Sequence, residues 1–198
     1  MNKVKSTYII AEVGSVHDGS FGNACKLIDL ASECKASAVK FQMHDPENET
    51  LYNAPRPKFF KTENRFEYFK RTSFTIEQIK KLKLIANKKK LDFIVSPFSI
   101  EAAKKLNSIN IDGFKIASGE LTNHPLLECI AKFKKKIFLS TGMSNWKEIN
   151  EAFKILKKND VTLMQCTSFY PTPLEKAGIN IIPLMLSLIH ISEPTRPY

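Results

Sequence analysis

An α/β fold is predicted, a (β/α)8 TIM barrel that is incomplete here at about six βα units, and three observations predict it. Six short apolar runs of strand type alternate with segments of helical spacing along the 198 residues, a pattern that calls for a parallel sheet with right-handed crossovers. Polar side chains stand at or just past the carboxyl end of each run, where barrels gather chemistry from every strand; a doubly wound sheet would concentrate them at one switch point. Neither a Gly-x-Gly-x-x-Gly nor a phosphate-loop motif is present, which counts further against a nucleotide-binding sheet.

Taken in order, residues 8–12 read as the first strand, ending in Glu12 and followed by the turn-rich 14–20. From Asn23, the spacing of Ala24, Leu27, Ile28, Ala31 and Cys34 predicts a helix. The second strand, 38–42, alternates Val39 and Phe41 with Lys40 and Gln42, so both polar side chains share one face. Residues 43–72 form an insertion too long for a plain connection. Its aromatic tract from Phe59 to Phe69 is either a packed loop or a substrate lid. Thr75 with Gln78 resembles a capping box opening the next helix. Strand three spans 91–96, with Pro97 and Phe98 after it, and a short helix covers 99–106. Strand four is 113–116, Pro125 opens a helix, and strand five is 136–140. Asn145 with Glu148 caps a helix that buries Ile149, Ala152, Phe153 and Leu156, and 161–165 is the sixth strand.

Strand four carries the most informative residue. Lys115 interrupts an otherwise apolar run, and a buried cation is tolerated only when paired or facing a polar site. Lys40 in strand two repeats the arrangement, so the two lysines read together as ligand-facing groups.

Composition narrows the class. The chain is 43% hydrophobic and 25% charged, ordinary for a soluble domain, with no signal-like start and no run of apolar residues of membrane-spanning length; a cytoplasmic protein without membrane partners is expected. The net charge of +10 would suit nucleic acid. The lysines, however, cluster at 80–83, 88–90, 134–136 and 157–158, on predicted helices or just after them, where cations suit the carboxyl end and solvent. No nucleic-acid partner is expected; a basic nucleic-acid-binding module is the remote alternative and would show steeply salt-dependent duplex binding. Cys25, Cys34, Cys129 and Cys166 lack paired spacing and read as reduced, small core residues. His17, His44 and His124 read singly as loop or cap residues.

Six ordered motifs resemble the sialic acid synthase family: 10–14 with His17 and Gly19, 38–42, 96–98, 115–120 with 123–127, 139–143, and 165–173. The resemblance covers about 8–185. It departs at Val16 and Asp18, where the family commonly has asparagine, and Val16 leaves the sugar-facing loop less polar. The resemblance implies condensation of phosphoenolpyruvate with an N-acylated amino sugar, N-acetylmannosamine or a bacterial relative, to a nonulosonic acid and phosphate. C3 of phosphoenolpyruvate attacks the metal-polarised aldehyde, water adds at C2, and phosphate leaves. It assigns catalytic roles to Glu12, Lys40 and Lys115. Lys40 and Ser96 fall on the carboxylate side, and Lys115, Ser118, Ser140, Thr141 and Gly142 on the phosphate side. Ser168 adds a donor, while Glu12 and Tyr170 face the sugar. Gln42, Phe98, Glu120 and Asn123 bind substrate or orient neighbours.

A divalent cofactor, Mn or Mg, and a homodimer are implied for the full-length enzyme, with no metal ligand in this chain. A related synthase acting on a phosphorylated aldose is the alternative. Residues 1–185 are read as the synthase barrel portion. Residues 186–198 show neither helical spacing nor a seventh strand and are read as a non-native, adaptor-derived tail. The family's two metal-ligating histidines would lie beyond that point, so this chain alone is expected to be inactive.

Overall fold

The computed structural model describes residues 7–55, 63–169 and 171–192, with side chains to 187. The chain divides into two compact units, Met1–Gly113 and Phe114–Tyr198, each built from the same strand-then-helix repeat.

In the first unit, β1 (Ile10–Gly14), α1 (Phe21–Glu33) and β2 (Ala38–Met43) form the opening repeat. Then follow α2 (Pro46–Glu49), α3 (Arg65–Thr72), α4 (Ile76–Lys88), β3 (Asp92–Pro97) and α5 (Ile100–Ser108). The strands lie in the order β1-β2-β3 and pair in parallel. Residues 38–41 of β2 are all buried, as befits a parallel strand covered on both faces. Phe41 and Phe93 stack with ring centroids 5.3 Å apart, and the stripes Ala24, Ile28, Ala31 of α1 and Ile79, Leu82, Ala86 of α4 complete the core.

Local chemistry sets the ends of these helices. The Thr75–Gln78 capping box is present in both directions, and Ser20 and Ser99 accept from backbone N–H groups at the starts of α1 and α5. At the other ends, Lys35, Lys90 and Asn110 take φ of 58°, 62° and 57°, each two or three residues before a strand. That left-handed residue turns the chain back toward the sheet. Of the two lysine clusters in this unit, 88–90 ends α4, while 80–83 lies within it.

The pairing of β1 with β2 slips at Val13: Glu12 faces Lys40, and Gly14 faces Phe41. Bulges of this kind re-aim side chains near functional sites. Gly14 has φ 53°, and its position lies against Glu12, whose Oε1 is 3.2 Å from where a Cβ would stand.

Past the bulge, His17 is 2% exposed, with its ring stacked on Phe74 at 4.4 Å. Its Nδ1 accepts from the Gly19 N–H at 3.1 Å, which requires that nitrogen to be unprotonated. Burial pushes the His17 pKa below its ordinary value, only partly opposed by the Asp18 charge. The unfolded chain therefore binds a proton more readily at this position. The stabilisation is complete above about pH 6.5, the unfolded histidine value, and is lost as pH falls through the folded one. Urea midpoints measured from pH 7.5 down to 5 should fall, and His17→Phe, which keeps the stack, should flatten that slope; an unchanged slope would refute the assignment.

The described part of the 43–72 insertion packs toward its two ends, while Leu51 and Tyr52 are exposed. Phe66 is buried, and Phe69 stacks on His44. Arg71 joins α3 to the loop after β1, donating to Asp18 at 2.7 Å and to Glu63 at 2.8 Å. Phe59 and Phe60 lie outside the described residues.

The second unit begins one residue into β4 (Gly113–Ile116), followed by a 3-10 turn, Ser118–Glu120, and α6 (His124–Ala131). Then come β5 (Lys136–Ser140), α7 (Trp146–Leu156), β6 (Val161–Met164), two further 3-10 turns (Leu174–Lys176 and Ile179–Ile181) and α8 (Ile182–Ser192). Its strand order is β4-β5-β6, and β5 and β6 pair in parallel. Asn145 and Glu148 form the predicted capping box, and α7 buries the four predicted residues.

Two expectations are corrected. The cysteines are free but none is buried: Cys34 is exposed and the other three are half-buried, because Cys34 and Cys166 stand past the ends of α1 and β6 and Cys25 and Cys129 lie beside the buried stripes of α1 and α6. Residues up to 192, read from sequence as lacking helical spacing, are helical in α8. Pro183 occupies the first turn, where no N–H is needed, and the run beyond it is mostly apolar, with only Ser187, His190 and Ser192 polar, so no strong amphipathic period marks it. Met185 is buried while Leu184 and Leu186 are exposed.

Candidate functional site

In the first unit, Lys40 is the central group. It is 7% exposed, and its Nζ donates to Glu12 Oε2 at 2.5 Å and to Ser96 Oγ at 3.5 Å. Three successive strands supply these atoms: the regular register of β1 on β2 places Glu12 opposite Lys40, just before the bulge, and Ser96 pairs across from Gln42 in the next strand. A buried ammonium with a hydroxyl beside it is a receptor for a carboxylate or phosphate oxygen. Glu12, whose side chain is 52% exposed, is the partner such an anion would displace.

Gln42 lies one strand alternation beyond Lys40. Its Oε1 accepts from Ser15 Oγ at 3.1 Å and faces His44 Nε2 at 3.2 Å. Phe98 does not reach into this cluster as a separate wall; its ring stacks on His44 at 4.4 Å.

In the second unit, Ser118, Gly142 and Cys166 come together. Ser118 Oγ accepts from the Gly142 N–H at 3.2 Å and donates to Cys166 Sγ at 3.8 Å. Gly142 is hemmed in: a Cβ there would stand 2.6 Å from the Cys166 carbonyl and 2.9 Å from Ser168 Oγ. The hydroxyls of Ser118 and Ser168 with the Gly142 amide thus flank one turn after β5, a set of donors suited to an anion.

Thr141 points elsewhere, since its Oγ1 and its N–H both donate to the Met164 carbonyl, at 3.1 and 3.2 Å. Ser140 is buried at the end of β5. Lys115 is half-buried between the buried Phe114 and Ile116. Glu120 accepts from Asn123 Nδ2 at 2.9 Å, while Asn123 Oδ1 caps α6. Tyr170 lies outside the described residues.

A cavity of about 340 Å³ adjoins the Gly142 turn, lined by Thr141, Gly142, Asn145, Trp146, Gln165, Cys166, Ser168 and Lys176 among others. Trp146 and Lys176 are additions that sequence reading did not single out. Cys166 stands in the strand-end motif and was legible there as position, though not as a partner of Ser118. Trp146 opens a helix and Lys176 sits in a 3-10 turn, where no periodic signal marks either. His44 and Ser15 are likewise new neighbours of Gln42.

A divalent ion finds no ready donor set: among the described residues there is no group of three or more His, Cys, Asp or Glu able to hold one. Glu12, Glu49 and Glu120 are engaged with Lys40, His44 and Asn123. Among the described residues no helix is long and apolar enough to cross a membrane.

The chain is 39% identical over 186 residues to the N,N'-diacetyllegionaminic acid synthase of Campylobacter jejuni, an alignment covering 89% of this chain and 56% of that protein. It is 30% identical over 193 residues to the pseudaminic acid synthase of Helicobacter pylori, covering 93% of this chain and 55% of that one. A crystal structure of the N-acetylneuraminic acid synthetase of Leptospira borgpetersenii, in complex with citrate, superposes with a TM-score of 0.80 at 31% identity, over 91% of this chain and 61% of that chain. The chain thus spans about half the length of the curated relatives it matches. The fold is α/β, with parallel strands flanked by helices in each unit, as predicted. The model of the NeuB family matches residues 27–191, and the chain belongs to the NeuB family.

Proposed function

We propose that the protein of which this chain is part condenses phosphoenolpyruvate with an N-acylated amino sugar to give a nonulosonic acid and phosphate. The relatives named above are synthases of such acids, and the observation that carries the reading for this chain is Lys40, a lysine buried in a central strand with Glu12 and Ser96 on its Nζ. In this reading Lys40 and Ser96 take the carboxylate of phosphoenolpyruvate. The family resemblance assigns the phosphate side to the Gly142 turn with Ser118, and Lys115 and Ser168 belong to the same second-unit set. Held so, C3 bonds to the aldehyde carbon of the open-chain sugar, whose oxygen takes up a proton. Water then adds at C2, and the C2–O bond to phosphate breaks. Glu12, half-exposed beside Lys40, faces the sugar and is placed to position it or move a proton. A divalent metal, dimeric assembly and a cytoplasmic setting belong to the same proposal; the metal would need ligands other than the engaged carboxylates described above.

Trp146 is the one tryptophan of the chain and lines the cavity at the Gly142 turn, so it reports on binding there. Titration of the chain with phosphoenolpyruvate should shift its fluorescence saturably, with inorganic phosphate competing weakly and pyruvate still more weakly. Calorimetry with and without N-acetylmannosamine follows the sugar. No saturable signal by either method would overturn the proposal.

A further inference from the structure

The 43–72 insertion looks at first like an appendage, yet two of its side chains end on His44. The His44 ring is buried and lies flat between Phe69, at 3.8 Å, and Phe98, at 4.4 Å, both within 9° of parallel. Its Nδ1 is 2.6 Å from Oε1 of Glu49, a carboxylate with a side chain only 5% exposed. The Asp45 N–H donates to the other oxygen of Glu49 at 3.1 Å. On its far edge, His44 Nε2 meets Gln42 Oε1, the atom that also accepts from Ser15. Ser73, just past α3, donates to the His44 carbonyl at 3.1 Å.

A flat ring clamped on both faces and anchored at one nitrogen has little freedom left at the other. Two contacts then fall on the same end of the Gln42 amide, so the opposite end is the one presented. Both His44 nitrogens face acceptor oxygens, Glu49 Oε1 and Gln42 Oε1, so the ring donates on both sides; with Oε1 engaged in this way, the end presented is the NH2 donor. The insertion is thereby explained as support: α2 supplies Glu49 and α3 supplies Phe69.

We propose that His44 is a positioning residue through which Glu49, Phe69 and Phe98 fix the side-chain amide of Gln42 as a hydrogen-bond donor toward an acceptor oxygen of the sugar. The proposal rests on the reading of Gln42 as a substrate-binding residue and takes the sugar as the substrate it meets, and its test separates the two. In the ligand-free, isotope-labelled chain, the Gln42 side-chain NH2 signals, assigned by their disappearance in Gln42→Glu, should be those of an ordered group. His44→Phe keeps an aromatic ring for the stack and removes the polar edge. Because it strands Glu49, the double variant His44→Phe/Glu49→Met, apolar at both positions, guards against loss of folding. In both variants the Gln42 signals should collapse to those of a mobile glutamine, and His44→Gln, which can restore a polar atom near the Nε2 position, should recover them. Calorimetric dissociation constants for N-acetylmannosamine, measured with phosphoenolpyruvate present, should rise roughly fivefold in the two Phe variants, as for one neutral hydrogen bond. The constant for phosphoenolpyruvate should stay put. An ordered Gln42 in the double variant overturns the role given to His44. A loosened Gln42 with unchanged sugar affinity keeps the buttress and overturns the sugar contact instead.

Discussion

Lys40→Met should leave the protein as stable as the parent, or slightly more so, while weakening phosphoenolpyruvate binding by about a hundredfold. The two expectations come from opposite sides of one contact. Nζ is buried and its carboxylate partner is half-exposed, so the ammonium's desolvation cost is only partly returned by Glu12. An apolar side chain of similar length removes that cost, and Glu12 can turn to water. Binding responds differently, because loss of one partner from a buried, hydrogen-bonded charge pair costs about 2–5 kcal/mol. Thermal melting and calorimetry on the same samples decide the matter. Unchanged affinity would remove Lys40 from the anion site, and a collapse of stability would mean that the lysine is structural.

The second large effect is expected at Gly142. A methyl group there meets backbone, the Cys166 carbonyl at 2.6 Å and its carbon at 3.1 Å, and backbone cannot swing aside as a side chain can. Gly142→Ala should therefore displace the turn, at about 1–3 kcal/mol of stability, and carry the Gly142 N–H away from Ser118 Oγ. Phosphoenolpyruvate affinity should drop by one to two orders of magnitude, as expected where a charge-assisted hydrogen bond of about 1.5–3 kcal/mol is lost. Gly119, in the turn that carries Ser118, provides the control. A Cβ there has nothing within 4 Å, so Gly119→Ala should be close to neutral in both assays. Equal losses in the two variants would show that the turns merely resent side chains.

What was legible in the sequence was whatever local chemistry enforces. The two capping boxes, the apolar stripe of α7 and the alternation that sends Lys40 and Gln42 to one face are each written within a few residues, and each is found where expected. The bulge at Val13 was not legible, because it depends on how β1 meets a neighbour 28 positions on. The stack of Phe69, His44 and Phe98 was hidden for the same reason. Its members lie in an insertion, at a strand end and past another strand, and no periodicity connects them. Cys166 stood in a recognised motif, yet its partnership with Ser118 arises only when two strand ends come together. The run of α8 defeated period-based reading because its few polar residues, Ser187, His190 and Ser192, are too sparse to mark a face.

The sequential order of strands within each unit also bears on how the chain assembles. Since β1 pairs with β2 and β2 with β3, every strand finds its partner already made when it emerges from the ribosome, and no strand has to wait for a distant segment to be synthesised. The steps are not equally quick. Joining β5 to β6 brings positions 137 and 161 together, whereas joining β2 to β3 must bring 38 to 92 across the insertion, a span a little more than twice as long. Each doubling of a flexible loop adds only about 0.6 kcal/mol of closure entropy. The insertion that supports Gln42 therefore costs the folding chain a delay of a few-fold at one step, a small disadvantage against a rigid wall at the strand ends.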